Sequence, residues 1–321
     1  MIDFAVIDFI VLTGFLGSGK TSLLADFLKL PEAADTAVIV NEIGEVGLDG
    51  AILAESGGVP IAMLENGCIC CALAGDLEQT VGALVMARRD GSPLAGIVLE
   101  TSGLSKPGPI LRSLAGLAGL PLRVSVVATV DCRARSLASG FEEGAAQWAG
   151  AQTLVLTKHD IATPAEREHA RNAAIGINPL ARLVDTADRN VAIRAAFAFE
   201  RAAVEPPAFW MASGLSHPRI QVLLARPDET ILWDEFAEWL DNLAGLLGER
   251  LLRLKGIVRV ADRARPVLVQ SVGTMFDRPR PFGGDWKGMP FFVLILRDSD
   301  IAELRSIAPC LPLNLTQHRA M

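Results

Sequence analysis

A chain of 321 residues is long enough for about two domains and a sizeable core. Half of it is hydrophobic and 21% is charged, a balance that excludes a disordered or fibrous protein. Thirty Lys and Arg against 37 Asp and Glu give a formal charge of −7, and no basic run is present to track a polyanion, so no nucleic-acid partner is expected.

The N-terminal MIDFAVIDFIVLTGF is apolar but interrupted by Asp3 and Asp8, lacks preceding basic residues and is too short to span a bilayer. It reads as a buried strand of a cytoplasmic protein with no membrane partner. Further β-rich runs follow: TAVIVN (36–41), GIVLET (96–101), RVSVVATVD (123–131) and TLVLTK (153–158). Helical periodicity separates them, which predicts a parallel sheet covered on both faces, with ligand-bearing loops at the carboxyl ends of its strands. Residues 1–187 form this first domain in the reading, and 188–207, containing Glu205, Pro206 and Pro207, form a linker region. Residues 208–321 read as a smaller α+β domain. There a helix over 234–254 precedes the strands KGIVRVA, PVLVQSV and PFFVLIL, and DSDIAELRSIA reads as a last helix.

The strand FIVLT runs into GFLGSGKT (14–21) and then into the amphipathic SLLADFLKL. That is the strand, loop and helix context in which G-x-x-x-x-G-K-[ST] means a phosphate loop. Gly14, Gly17 and Gly19 let backbone amides converge on phosphate oxygens around Ser18, and the helix N-terminus adds its partial positive charge. Lys20 is expected on the β- and γ-phosphates and the Thr21 hydroxyl on Mg²⁺, with Ser22 next in line. Glu100, at the end of GIVLETSG, is the expected acid for Mg²⁺ and its water, and Gly103 the residue whose amide meets the γ-phosphate. The class is then an α/β P-loop NTPase, with the smaller α+β domain appended. LVLTKHD places Thr157, Lys158 and Asp160 after a buried strand, in the manner of N-K-x-D with Thr for Asn. A carboxylate at Asp160 can accept from N1–H and the exocyclic amine of guanine, a donor pair that adenine lacks, and the Lys158 stem can lie along the base.

Three of the five cysteines fall in ENGCICC, at Cys68, Cys70 and Cys71, after the Asn66-Gly67 turn signal. A bent loop can bring three thiolates round one ion and leave a fourth position open. Sulfur ligands favour Zn²⁺ or Co²⁺ over Mg²⁺ or Ca²⁺. A redox pair or simple packing are the other readings of the cluster, and Cys132 and Cys310 read as ordinary buried thiols. NEIGEVGLDG (41–50) offers Glu42 and Glu45 as candidates for the missing ligand.

In this order GFLGSGKT, NEIGEVGLDG, ENGCICC, ETSGLSKPGPI and LTKHD resemble the CobW family of P-loop GTPases, relatives of HypB and UreG. HPRI at His217, LLRLKGIV around Lys255 and PVLVQSVGTMFDRPRPF (266–282) are similar to that family's C-terminal domain. The resemblance implies GTP hydrolysis, Mg²⁺ with the nucleotide, and zinc or cobalt at Cys68, Cys70 and Cys71 with Glu45 added. It also implies delivery of that metal to a client metalloprotein. Ser22 stands where many members have Thr, Val40 where some have a carboxylate, and the histidine-rich tract of metal-storing members is missing, which points to one ion per chain. Two other readings stay open. The chain can be a GTP-dependent assembly partner of a metalloenzyme with a structural ion, or a small-molecule kinase, which the guanine motif disfavours. A metal- or nucleotide-dependent dimer is also left open.

Overall fold

The computed structural model describes residues 6–41, 61–63, 73–89, 94–117, 119–133, 142–199, 219–227, 230–282, 288–307 and 313–317. The chain divides into two compact units, Met1–Arg171 with Ala181–Arg201, and Asn172–Leu180 with Ala202–Met321.

In the first unit seven strands form one sheet: β1 (Ile7–Gly14), β2 (Thr36–Asn41), β3 (Ile61–Met63), β4 (Gly96–Thr101), β5 (Leu122–Asp131), β6 (Thr153–Thr157) and β7 (Arg182–Val184). Their order is β3-β2-β4-β1-β5-β6-β7 and every pairing is parallel. The five apolar runs of the sequence supply β1, β2, β4, β5 and β6, because strands buried on both faces carry continuous β-branched stretches. β3 and β7 have only three residues each, too short for such a run to show. The helices are α1 (Lys20–Phe27), α2 (Leu73–Arg89), α3 (Pro107–Ser113), α4 (Glu142–Gly150), α5 (Pro164–Ile177), which from Asn172 on is counted with the second unit, and α6 (Arg189–Phe197). The direction of winding changes at β1, which lies between β4 and β5, and this opens the crevice at its carboxyl end where open α/β sheets bind ligands.

Two helix starts are written locally. Thr163 and Glu166 form a capping box before Pro164: Glu166 Oε2 accepts from Thr163 N at 2.8 Å, and Glu166 N donates to Thr163 Oγ1 at 3.3 Å. The Asp188 carboxylate caps α6 by accepting from Val191 N at 3.1 Å. The stretch read from the sequence as the beginning of a linker is therefore helical. Ile193, Ala196 and Phe197 of α6 are buried with Leu23, Leu24 and Phe27 of α1 on one face of the sheet. The Phe27 and Phe197 rings stack there with centroids 4.0 Å apart.

The second unit is built on an antiparallel sheet of β8 (Ile220–Pro227), β9 (Leu251–Val258), β10 (Val267–Val272), β11 (Met275–Phe276), β12 (Arg280–Pro281), β13 (Phe291–Arg297) and β14 (Leu313–Gln317). The order is β11-β10-β9-β13-β8-β14, with β12 on β10. Helices α7 (Trp233–Leu247) and α8 (Ile301–Ile307) accompany it. Phe236, Trp239, Leu240, Leu243 and Leu247 follow helical spacing on one face of α7 and pack with Leu223, Leu254, Phe292 and Leu294. The helix expected over 234–254 ends early. Gly248 takes φ 53° at the C-cap, and LLRL, apolar enough to suit either state, becomes the start of β9.

On β9, Arg253 and Lys255 share a face, two residues apart. Burial, helped by Arg253 and Arg280, pushes the Lys255 ammonium down to about 8. The sign follows from linkage. The unfolded lysine keeps its proton up to its ordinary value, so the folded protein gains stability as pH rises from about 8, and the full cost is present below it. Lys255→Met is expected to raise Tm at pH 7 by several degrees and to flatten that alkaline gain. A lower Tm would mean that the ammonium is held by a compensating partner.

Among the described residues no helix is long and apolar enough to cross a membrane.

Candidate functional site

The carboxyl end of β1 leads into the glycine-rich loop, and the loop into α1. Gly14 sits so close to β5 that a Cβ would lie 2.0 Å from Thr129 Oγ1, and Gly19, the N-cap of α1, takes φ 92° in the left-handed region. Gly17 also has positive φ, at 69°. The loop is tied down by Ser18, 3% exposed, whose hydroxyl donates to Phe15 O at 2.6 Å and lies 2.6 Å from Thr129 Oγ1. Lys20 is buried and curls back over the loop, donating from Nζ to Gly14 O at 3.0 Å and to Phe15 O at 3.4 Å. A phosphate chain in the loop would find this ammonium beside it.

Register places Glu100 opposite Leu12 of β1 and Val40 of β2. From there its carboxylate reaches across to α1, and Thr21 Oγ1 donates to Glu100 Oε1 at 2.6 Å. A half-buried hydroxyl and a buried carboxylate at one point of the crevice are hard oxygen donors of the kind Mg²⁺ takes beside a nucleotide phosphate, so the residues fit that ion. Gly103 follows in the turn after β4 and presses on the phosphate loop: a Cβ there would meet Leu16 N at 2.7 Å and Leu16 Cα at 2.8 Å. Ser22 is exposed, and its carbonyl accepts from Arg189 Nη2 at 3.2 Å.

The loop after β6 is joined to this centre. Thr157 Oγ1 donates to Ser18 O at 2.8 Å, with Val130 O at 3.2 Å sharing the proton, so the Thr that stands for Asn links the two loops by its hydroxyl. Lys158 adopts φ 60°, and its Nζ pairs with Asp131 Oδ2 at 2.6 Å. Asp160 is exposed. Asp131 had not been singled out from the sequence. It is the last residue of β5 and lies in register with Thr157, a placement visible only once the strands are paired. His159 is turned into a polar hollow of about 350 Å³ with Arg167, Arg171 and Asp185. Burial pushes its imidazole below the ordinary value, against the opposing pull of Asp185, 3.3 Å away. Cys132 is 2% exposed, and burial, reinforced by Asp185 and Asp131, pushes its thiol up to about 11, so it is the ordinary buried thiol expected.

Cys68, Cys70, Cys71, Glu42, Glu45 and Cys310 lie outside the described residues, and among the described residues no three His, Cys, Asp or Glu side chains are grouped to hold a metal. The strands that precede the segments of these expected metal ligands are among the described residues. β2 ends at Asn41, just before Glu42, and β3 ends at Met63, five positions before Cys68. The two are parallel neighbours, Val40 facing Met63, and β4 with Glu100 is the next strand over.

A buried lysine over a glycine-rich strand-to-helix loop, with a Thr–Glu pair at the same switch point, defines a P-loop nucleoside triphosphatase. A family model described as CobW/HypB/UreG, nucleotide-binding domain, matches residues 8–185, and one described as Cobalamin synthesis protein cobW C-terminal domain matches residues 220–310. The chain belongs to this CobW/HypB/UreG family of P-loop GTPases. It is 30% identical over 286 residues to the zinc chaperone YjiA of Escherichia coli (strain K12), an alignment covering 86% of this chain and 89% of that protein. It is 31% identical over 186 residues to the zinc-regulated GTPase metalloprotein activator 1 of Schizosaccharomyces pombe (strain 972 / ATCC 24843), covering 55% of this chain and 44% of that one. The crystal structure of Zn(II)-bound YjiA GTPase from E. coli superposes with a TM-score of 0.67 at 23% identity, over 96% of this chain and 99% of that one, and so shares the fold.

Proposed function

We propose that the protein is a GTP-hydrolysing metallochaperone that takes Zn²⁺, or Co²⁺, as cargo at Cys68, Cys70 and Cys71 with Glu45, and hands it to a client metalloprotein. The nucleotide half rests on the bonded unit of phosphate loop, Glu100 and the Thr157 loop. Gly14, Gly17, Ser18, Gly19, Lys20, Thr21 and Ser22 cradle the phosphates, and Gly103 meets the γ-phosphate. Thr157, Lys158 and Asp160 select guanine. Thr21 and Glu100 would hold Mg²⁺, whose charge offsets that of the transferred phosphoryl group.

One observation carries the link between nucleotide and metal. β2 lies between β3 and β4, so the segment bearing Glu45 follows the strand beside the one that carries Glu100, and the segment bearing the cysteines follows the strand one further out. An event at the γ-phosphate is then close enough to rearrange both. The name of the YjiA relative, a zinc chaperone, supports zinc as the cargo. Reciprocity requires that if GTP raises metal affinity, metal raises GTP affinity by the same factor.

The test is a competition titration of Zn²⁺ and Co²⁺ against the purified chain with Mg²⁺ and either GDP or a non-hydrolysable GTP analogue. The expected result is a metal affinity that differs about tenfold between the two nucleotides, a coupling of roughly 1.4 kcal/mol. Cys70→Ser is expected to abolish that tight binding. Equal affinities in both nucleotide states would remove the coupling and favour the assembly-partner reading, which the activator name of the S. pombe relative fits.

A further inference from the structure

The turn after β4 is gripped from the side away from the phosphate loop. Ser105 N donates to Ser102 O at 3.0 Å and closes the turn. The Gln147 amide of α4 then donates from Nε2 to Gly103 O and to Ser105 O, both at 2.9 Å, so both of its hydrogens go to this turn. Gln147 is 0% exposed, and among the described residues its buried Oε1 has no hydrogen-bond partner, nor has Ser105 Oγ. Lys106 Nζ, just beyond the turn, pairs with Glu142 Oε1 at 2.6 Å, a second tie to the first residue of the same helix. On its other side Gly103 is pressed against Leu16 of the phosphate loop.

An apolar side chain of similar volume would spare the position an unsatisfied Oε1, but it would strip Gly103 O and Ser105 O of their donor. The amide is therefore explained by what it does to the turn rather than by packing. In a trans peptide the carbonyl and the following N–H point in opposite directions. Holding Gly103 O on Gln147 aims Leu104 N–H away from α4, where it donates to Ser102 Oγ at 3.5 Å, and Ser102 O, engaged with Ser105 N, turns Gly103 N–H away from the interior of the turn.

We propose that Gln147 is a positioning residue for GTP: it clamps the 102–105 turn so that the Gly103 N–H is presented to the γ-phosphate, and it makes α4 the element that follows the nucleotide state. This rests on the GTP reading above and adds to it a residue that senses the third phosphate without touching it. GDP, which lacks that phosphate, makes no demand on the turn.

The experiment uses the full chain carrying Gln147→Met or Gln147→Glu, with steady-state GTP hydrolysis, affinities for GDP and a non-hydrolysable GTP analogue, and Tm. For Gln147→Met, kcat is expected to fall about tenfold and analogue affinity several-fold, with GDP affinity within about twofold of wild type and Tm lower by a few degrees for the two carbonyls left without a donor. For Gln147→Glu, a buried carboxylate faces two carbonyls, so its pKa rises, and kcat should recover toward wild type as pH falls and the protonated acid donates to one of them. A purely structural residue would shift both nucleotide affinities together and add no such pH dependence. Parallel changes for GDP and the analogue, or none, with a Gln147→Glu pH profile matching wild type, would overturn the assignment. Should Gln147→Met fail to fold, the Gln147→Glu profile decides. A wild-type chain that neither binds nor hydrolyses GTP would overturn the functional reading itself and this one with it, an outcome distinct from unaffected variants of an active wild type.

Discussion

Lys20→Met is expected to lower kcat/KM for GTP by about a thousandfold, roughly 4 kcal/mol of transition-state stabilisation, while the protein stays folded. The ammonium is buried over the loop and spends its hydrogen bonds on Gly14 O and Phe15 O, the carbonyls that flank the place for the phosphates. Methionine matches the length of the stem but cannot meet the charge that develops as the phosphoryl group transfers. Gly14 O, which is buried, and Phe15 O lose this donor, so a Tm lower by a few degrees is expected beside the loss of rate. Single-turnover hydrolysis with a Tm on the same sample checks both halves. A variant within threefold of wild type would take Lys20 off the phosphate.

Gly103→Ala is expected to cost about a hundredfold in kcat with GDP affinity retained. Here the obstacle is backbone: the new methyl would lie 2.7 Å from Leu16 N and 2.8 Å from Leu16 Cα, distances that no rotamer change relieves. Either the turn or the phosphate loop must move, and displacements well under an ångström to about an ångström are enough to lose that much rate. Gly108→Ala is the control, since its Cβ would meet only Arg112 Nη1 at 3.8 Å, and α3 should tolerate or welcome it. Hydrolysis rates and GDP titrations of the two variants separate local clash from general sensitivity. Equal behaviour of the two would show that the Gly103–Leu16 approach is not needed for turnover.

Much of the nucleotide half was legible because its signals are local. The strand-loop-helix of 9–27 carries its own glycines, lysine and hydroxyl within a few residues of one another. The second unit was less so. LLRL (251–254) suits a helix or a strand equally by composition, and its state is decided by pairing with β10 and β13, partners distant in the chain. The same holds for β14, a five-residue strand whose pairing among the described residues is with β8. Asp131 and Gln147 were invisible for a related reason: nothing in their neighbouring residues marks the lysine or the turn they meet, 27 and 42 to 44 positions away.

By itself, then, the sequence determined the phosphate loop, the parallel sheet that carries it, the expectation of guanine at 157–160 and of metal at Cys68 to Cys71, and the family those motifs resemble. These follow from residue types at fixed short spacing, where chemistry and backbone geometry act over a few bonds. Only the tertiary structure decided that Glu100 meets Thr21, that Thr157 bonds to Ser18, that Asp131 holds Lys158, that α6 belongs to the first unit's core, and that α4 grips the turn after β4. Each of those is a contact between segments far apart along the chain, fixed by strand order and register, and a linear pattern does not carry that information.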